Sequence, residues 1–413
     1  MSKLQELINK LCPNGVEFKP LGDISNLSRG KVYGKDYISE HRGEYPVFSS
    51  QTVNDGELGK IDTYDYDGFY LTWTTDGAYA GTIFYRQGKF SITNVCGLIS
   101  LKVNFINLKF LYYWLSIEAP KHVYYGMGNP KLMSNQMTSI MIPVPPIEVQ
   151  EEIVRILDSF SDYAAELQAE LQARKQQYEY YRNLLLTFNP SAYGCGTDDE
   201  QKDGVTTWGG HNYKIEWKKM GEIGTFIRGK RFVRTDIMEQ GVPCIHYGDM
   251  YTYYGLYTDK TPTFLKEEKA QKMRFAQKND IVIVAAGENK DDLGNAVAWL
   301  GEKPAAVHDA CFIFRSNLYP NYISHICRSH NYHKQIKMFA NEAKICSVSG
   351  QDLQKVLIPV PEYELQIKIA SILDRFETLV NDLTNGLPAE IAAVKDQYEY
   401  YRNKLLTFKK LTA

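Results

Sequence analysis

The sequence predicts an α/β (α+β) protein organised as a pseudo-two-fold internal repeat. Two globular units per chain are separated by two long helices that pair as an antiparallel coiled coil. Three observations carry this expectation. Residues 177–188 read Gln-Tyr-Glu-Tyr-Tyr-Arg-Asn-Leu-Leu-Leu-Thr-Phe, and residues 397–408 repeat them with one change, Leu184 against Lys404. A match of that composition at a separation of 220 residues marks duplicated domains, not a solenoid unit. Apolar positions before each copy recur at alternating steps of four and three, the seam of a coiled coil. The stretches between read as short strands bounded by Gly, Asn and Asp.

Residues 1–11 read as a short amphipathic helix without the continuous apolar core of a signal peptide. They belong to a first globular unit expected over 1–146. Its opening, Gly15-Val-Glu-Phe-Lys-Pro-Leu-Gly22-Asp-Ile24 and then Arg29-Gly30-Lys31, is answered 199 residues later by Lys214-Ile-Glu-Trp-Lys-Lys-Met-Gly221-Glu-Ile223 and Arg228-Gly229-Lys230. Tyr45-Pro-Val-Phe48 pairs with Val242-Pro-Cys-Ile245, and Asn94-Val-Cys-Gly-Leu-Ile99 with Asp309-Ala-Cys-Phe-Ile-Phe314. Ile142-Pro-Val-Pro145 returns at Ile358-Pro-Val-Pro361. Between these markers the halves differ. Gly68-Phe-Tyr-Leu-Thr-Trp-Thr74, Gly81-Thr-Ile-Phe-Tyr85 and Asp280-Ile-Val-Ile-Val-Ala-Ala286 read as strands, with helices near 105–119 and 319–340.

The first long helix is expected over 147–188, with a seam at Ile153, Leu157, Phe160, Ala164, Leu167, Leu171, Arg174, Tyr178, Tyr181, Leu185 and Phe188. Pro146 opens it and Asn189-Pro190 closes it, giving a rod of roughly 60 Å. A polar, Gly-rich linker is expected over 189–212, then a second globular unit over 213–361. The second helix, 362–408, continues the seam through Ile369, Leu373, Phe376, Val380, Leu383, Leu387, Ile391, Val394, Tyr398, Tyr401, Leu405 and Phe408, before a tail at 409–413. Two steps of four meet at Leu387, inside Asn385-Gly-Leu-Pro388, which predicts a break or kink near 385–388. Arg182 and Arg402 close the repeated Tyr-Glu-Tyr-Tyr-Arg and join the seam as contact candidates. Antiparallel pairing is expected to place the globular units at opposite ends of the rod.

A chain of 413 residues is long enough for two or three cores. It has no apolar run near 18 residues, so no membrane span is expected. Seven scattered cysteines without a Cys-x-x-Cys pair point to a reduced, cytoplasmic protein. Net charge is only -2, but it is unevenly placed. Residues 148–210 carry 5 basic against 12 acidic side chains, and residues 211–361 carry 21 against 16. The second globular half is therefore basic.

Catalytic signatures are sparse. No Gly-x-Gly-x-x-Gly follows a strand and no Walker-type phosphate loop is present. Asn129-Pro130-Lys131-Leu132 resembles the start of an amino-methyltransferase motif. It lacks the second Pro and the aromatic that would hold a flipped base, and reads as a turn. His325, Cys327, His330 and His333 raise a metal question, but without a second cysteine pair they read as a helix surface, and no metal site is expected. Binding candidates are clearer. Arg29 with Lys31, and Arg228 with Lys230, Arg231 and Arg234, occupy equivalent places in the halves. A glycine between two cations lets a backbone approach a phosphate. Ser49, Ser50, Gln51, Thr52 and Asn54 form a run of hydroxyl and amide groups suited to base edges. Trp73, Thr74, Thr75 and Tyr79 form another, and His246, Tyr247, Asn289 and Lys290 are the second-half candidates. The plain alternative for each is ordinary loop chemistry.

Four features together resemble the specificity (S) subunit of type I restriction–modification systems. They are Leu11-Cys-Pro-Asn-Gly-Val-Glu-Phe-Lys-Pro-Leu-Gly22; Ile-Pro-Val-Pro followed by Gln150 or Gln366 and by Ile-Leu-Asp at 156–158 or 372–374; the Gln-Tyr-Glu-Tyr-Tyr-Arg termini; and Ala165-Glu-Leu-Gln-Ala169-Glu-Leu-Gln172. The resemblance implies a subunit without an active site of its own. Its two target recognition domains each read one half of a split, asymmetric double-stranded DNA sequence. The paired helices act as a ruler and as a dock for two methyltransferase subunits, which bring S-adenosylmethionine. Restriction subunits, using ATP and Mg2+, can join. The break at 385–388 departs from a straight second helix. The competing readings are a coiled-coil scaffold with protein-binding heads, and a methyltransferase or nuclease acting alone. The absent cofactor motifs oppose the second.

Overall fold

The duplicated sequence markers become matching backbone registers. The computed structural model describes residues 3–126, 128–188, 204–208, 210–342, 345–382 and 385–411. They group into two units, Met1–Gln168 with Glu390–Ala413, and Ala169–Ala389.

In the first unit a six-stranded sheet runs in the order Ser25–Arg29, Cys96–Leu101, Tyr66–Thr74, Ile83–Ile92, Arg42–Phe48, Glu57–Ile61. All neighbours are antiparallel except Arg42–Phe48 on Ile83–Ile92. Leu21, Ile24, Leu71, Trp73, Ile99, Leu111 and Leu115 fill its core. A separate ribbon pairs Glu17–Pro20 with Met141–Val144. The Ile-Pro-Val-Pro marker thus forms an edge strand, where proline's missing N–H is tolerated.

The second unit has two five-stranded sheets. One runs Gly224–Arg228, Cys311–Ser316, Ile281–Val284, Ala296–Trp299, Tyr257–Thr258, and the other carries Val242–Ile245 beside Ala305–Val307. Three pairings repeat those of the first unit residue for residue. Arg29 opposes Gly97 as Arg228 opposes Phe312. Phe48 lies parallel to Ile92 as Ile245 lies parallel to Val307. Phe18 opposes Pro143 as Trp217 opposes Pro359. Gly204–Trp208, inside the stretch expected as linker, is a strand paired antiparallel with His211–Lys219. Its Val-Thr-Thr-Trp run suits a half-buried edge. Of the rest of that expected linker, 189–203 and 209 lie outside the described residues, and 211–212 belong to the paired strand.

The first long helix is Ile147–Thr187, with its first half in one unit and its second half in the other. The second helix is Tyr363–Asn381 and then Leu387–Leu405, interrupted where Asn-Gly-Leu-Pro was expected to break it. Pro388 sits in the first turn of the restarted helix, where no partner N–H is lost. Leu383 of the expected seam lies outside the described residues. Within the first unit Phe160 stacks on Tyr401 at 5.4 Å and the Tyr163 hydroxyl donates to Glu390 at 2.6 Å, so the helices run antiparallel there. Within the second unit Phe376 stacks between Tyr178, at 6.2 Å, and Tyr181, at 5.7 Å. Leu157, Leu167, Leu171, Tyr178 and Leu373 are buried.

Each helix is clasped to its globular unit by the same two polar residues. Gln150 is fully buried; its Oε1 accepts from Asn107 N at 2.8 Å and its Nε2 donates to the Phe105 and Pro145 carbonyls at 2.9 and 2.7 Å. Gln366 accepts from Tyr319 N at 2.9 Å and donates to the Pro361 carbonyl at 2.8 Å. Asp158 accepts from the Tyr113 hydroxyl and Lys109, both at 2.6 Å. Asp374 accepts from Asn321 at 2.9 Å and pairs with the fully buried His325 at 2.8 Å.

The first helix also carries a pH-sensitive anchor. Glu152 is buried and its carboxylate meets Arg155 and Lys3 at 2.7 and 2.9 Å. Arg155 first, and then Lys3, hold the carboxyl down to about 2. A depressed carboxylate contributes stability above its ordinary value of 4.5 that is lost as pH falls toward about 2. The urea midpoint should therefore fall over that window, and Glu152→Gln should flatten the fall. An unchanged slope in the variant would refute the assignment.

Candidate nucleic-acid interface

In the first unit the loops converge on one turn, Thr93–Cys96. Lys31 N donates to the Ile92 carbonyl at 3.1 Å, Gly30 N to Cys96 O at 3.4 Å, and Thr93 N to Phe48 O at 2.8 Å. The Thr75 hydroxyl donates to Val95 O at 2.7 Å, and the Ser50 hydroxyl binds the same carbonyl. The second unit builds the same hub at His308–Cys311. Lys230 N donates to Val307 O and Gly229 N to Cys311 O, both at 2.9 Å; His308 N donates to Ile245 O at 3.2 Å; Ala285 N donates to Ala310 O at 2.8 Å. This turn explains the glycines. A Cβ on Gly30 would lie 1.9 Å from the Ile92 carbonyl oxygen, and one on Gly229 2.1 Å from that of His308. The expectation that these glycines make room for a phosphate is corrected: they make room for the protein's own crossing strand.

The candidates divide by what their side chains already do. Trp73, Thr74 and Thr75 are fully buried and are withdrawn as readers of base edges. The Trp73 indole donates to the Leu132 carbonyl at 3.0 Å, and the Thr74 hydroxyl goes to the Tyr79 carbonyl. The end of this strand, Leu71 to Thr74, is buried on both faces, although Phe69 near its start is exposed. Ser50 is held on Val95. Asn289 caps its own turn, accepting from Asp291 N at 3.0 Å, and Lys290 is paired with Glu342. Lys31 is exposed but paired with Asp65, whose other oxygen accepts from the Tyr33 hydroxyl at 2.6 Å. The hydrogen bond to Asp65, and then that carboxylate's charge, raise the Lys31 ammonium above its ordinary value.

Other candidates face solvent. Arg29, Gln51, Asn54 and Tyr79 are exposed in the first unit, with Ser49 and Thr52 half-buried. Asn54 takes a left-handed conformation, φ 51°, in a tight turn. The buried Arg86 grips that turn through the Asp55 carboxylate and carbonyl, and lies 3.6 Å over the Phe48 ring. In the second unit Arg228, Lys230, Arg231 and Arg234 are exposed, and His246 and Tyr247 are half-buried. Arg228 Nε donates to Asp309 O at 3.0 Å, and the exposed Arg274 donates to Arg228 O at 2.8 Å. The result is a basic, loop-built surface that can meet phosphates and base edges.

Sequence reasoning missed Arg86, Arg274, Thr93 and His308. For Thr93 and His308 a signal existed: each stands one residue before the matched Asn94-Val-Cys and Asp309-Ala-Cys markers. Arg274 and Arg86 sit in the divergent middles, with no marker beside them. Of the histidines raised as metal candidates, His325 has other work. His325 lies between Asp374 and the Tyr178 hydroxyl, the latter 3.3 Å from its Nδ1. Burial, and then the nearby Arg328, push His333 down to about 4.

Two loop-built surfaces on matched backbones, the second of them basic, differ in their side chains as a duplicated nucleic-acid specificity protein requires. The family described as the type I restriction modification DNA specificity domain matches residues 13–174 and again 213–393. The chain belongs to that family, as a type I restriction–modification specificity subunit with two target recognition domains. A putative type I specificity subunit of Mycoplasma pneumoniae is 31% identical over 384 residues, 93% of this chain and 95% of that one. The type I restriction enzyme MpnII specificity subunit of the same organism is 43% identical over 190 residues, 45% of this chain and 57% of that one. The solved S subunit from M. genitalium has the same fold, with TM-score 0.54 and 16% identity over 100% of both chains. A chain from a structural study of complex assembly in a type I restriction–modification system aligns at TM-score 0.58 and 15% identity, covering 96% of this chain and 98% of that one. No helix among the described residues is long and apolar enough to cross a membrane.

Proposed function

We propose that this chain reads a bipartite, asymmetric double-stranded DNA site, one half per globular unit, and has no active site of its own. The paired helices set the gap between the half-sites and dock two methyltransferase subunits, and restriction subunits can join. S-adenosylmethionine, ATP and Mg2+ act on those partners, in the cytoplasm. The observation that supports this best is the shared hub turn. The backbones agree to the residue, while the side chains at its rim are Ser49, Thr93 and Asn94 in one unit and His246, His308 and Asp309 in the other. One scaffold with two side-chain sets is what reading two different half-sites requires.

Arg29, Arg228, Lys230, Arg231, Arg234 and Arg274 take the phosphates, and Gln51, Asn54, Tyr79, His246 and Tyr247 lie toward the bases. Partner docking falls on the duplicated helix ends. Tyr180 and Tyr400 are 62% and 60% exposed at equivalent positions, an outward aromatic face that burial within this chain does not explain. The test is to exchange residues 213–361 for the corresponding segment of another specificity subunit and sequence the methylated sites. One half-site should change while the other half and the gap stay fixed. Changes in both halves, or in neither, would refute the reading.

A further inference from the structure

The two half-site readers share one more feature, at the carboxyl ends of a parallel strand pair. Parallel strands leave the sheet at the same edge, so the residues just beyond them stand side by side. In the first unit these are Ser49, after Phe48, and Thr93, after Ile92. In the second they are His246, after Ile245, and His308, after Val307. The two pairs occupy the same register in the duplicated fold.

The hydrogen bonds give each pair a front and a back member. The Thr93 hydroxyl donates to Ser49 Oγ at 3.1 Å, which leaves the Ser49 proton free to point outward. His308 has both ring nitrogens engaged: Nδ1 accepts from Ala310 N and Nε2 faces the Phe232 carbonyl, each at 3.2 Å. Among the described residues His246 has only Nδ1 engaged, accepting from Gly248 N at 3.2 Å. An imidazole whose Nδ1 accepts carries its proton on Nε2. The His308 ring packs edge-on against His246 at 5.1 Å and so fixes the plane in which that Nε2–H points.

We propose that His246 Nε2–H and the Ser49 hydroxyl are equivalent specificity-determining donors, each reading a hydrogen-bond acceptor on one base edge of its half-site, with His308 and Thr93 as the residues that position them. This rests on the reading of one half-site per unit. In the major groove a donor selects guanine O6 or N7, adenine N7 or thymine O4, and rejects the amino groups of cytosine and adenine.

The surroundings support the donor assignment. Burial lowers His246 below the ordinary imidazole value against the opposing pull of Asp249. Burial likewise lowers His308, which faces Asp309, His246 and Arg231. Phe232 and Tyr247 complete the aromatic wall. Burial therefore favours the neutral ring of His246. When protonated, its Nδ1–H would meet the Gly248 N–H, so the donor geometry is lost as pH falls below the ordinary imidazole value.

The complex with methyltransferase subunits is assayed for methylation of duplexes carrying every single-base change in both half-sites, across pH. His246→Ala should lose preference, by about tenfold, at one base pair of the half-site read by residues 213–361. Ser49→Ala should do the same at one base pair of the other half. His246→Gln keeps a donor and should retain the preference while losing its decline at low pH. His308→Ala should move that decline to higher pH by uncovering His246, and His308→Phe should restore it. Undiminished preference in His246→Ala, or loss spread evenly over the site, overturns the proposal. If the exchange of residues 213–361 still switches one half-site, such a result sinks these donors alone; if the exchange fails, the half-site reading itself is wrong.

Discussion

Deleting Ala165–Gln168 is expected to shorten the unspecified gap in the target site by one or two base pairs and to leave both half-sites intact. The deleted tetrapeptide is identical to its neighbour, Ala169–Gln172, so every remaining residue keeps its local sequence. Only length and phase change. Both copies lie within one uninterrupted helix, Ile147–Thr187. Four residues fewer shorten it by about 6 Å and rotate the remainder of the helix by roughly 40°. The length corresponds to one to two base-pair steps of about 3.4 Å. The seam survives because Leu171, buried like Leu167, moves into its place. Sequencing of methylated sites in cells that carry the deleted chain decides the matter. An unchanged gap would show that the helix does not act as the ruler, and altered half-sites would show that the deletion disturbed the readers themselves.

The scaffold was legible because duplication writes the same backbone constraint twice. Arg-Gly-Lys, the paired Pro-containing strands and Ile-Pro-Val-Pro all return in the same order, and all fold in matched registers. The reason for the glycine was not legible. The obstruction is the Ile92 or Val307–His308 backbone, which belongs to a strand that is not a sheet neighbour of the Arg-Gly-Lys strand. Burial by partners distant in sequence likewise misled the reading of Trp73, Thr74 and Thr75. A strand rich in Thr with one Trp passes for a half-exposed face, but its end is buried on both faces and the polar atoms find carbonyls at Leu132, Tyr79 and Val95. The break near 385–388 was legible because a Gly and a Pro within four residues oppose a continuous helix whatever surrounds them. The clasp was only half legible. Gln150 and Gln366 stand at equivalent places in the sequence, but their task depends on Asn107 and Tyr319, which no local pattern connects to them.

That clasp sets the second large effect. Gln150→Ala is expected to destabilise the first unit by about 2–4 kcal/mol, since each buried group left unsatisfied costs about 1–3 kcal/mol and solvent recovers only part. Three backbone groups are involved: Asn107 N–H and the carbonyls of Phe105 and Pro145. Asn107 is also the cap of the helix Leu108–Glu118, its side chain accepting from Lys109 N at 2.9 Å and Phe110 N at 3.1 Å. Losing Gln150 therefore loosens the start of the helix that packs Phe110 and Tyr113 against Val149, Ile153 and Leu157. Gln366→Ala should cost less, about 1–3 kcal/mol, because Gln366 holds two backbone groups, Tyr319 N–H and Pro361 C=O. Gln150→Glu separates packing from hydrogen bonding. It keeps the volume and the acceptor for Asn107, but turns both carbonyl contacts repulsive and buries a charge, so it should be at least as damaging as Ala. Urea unfolding of the full chain, followed by separate probes in the two units, tests the order. Equal losses for Gln150→Ala and Gln366→Ala, or a benign Gln150→Glu, would show that these side chains fill space and do not tie the helix to the sheet.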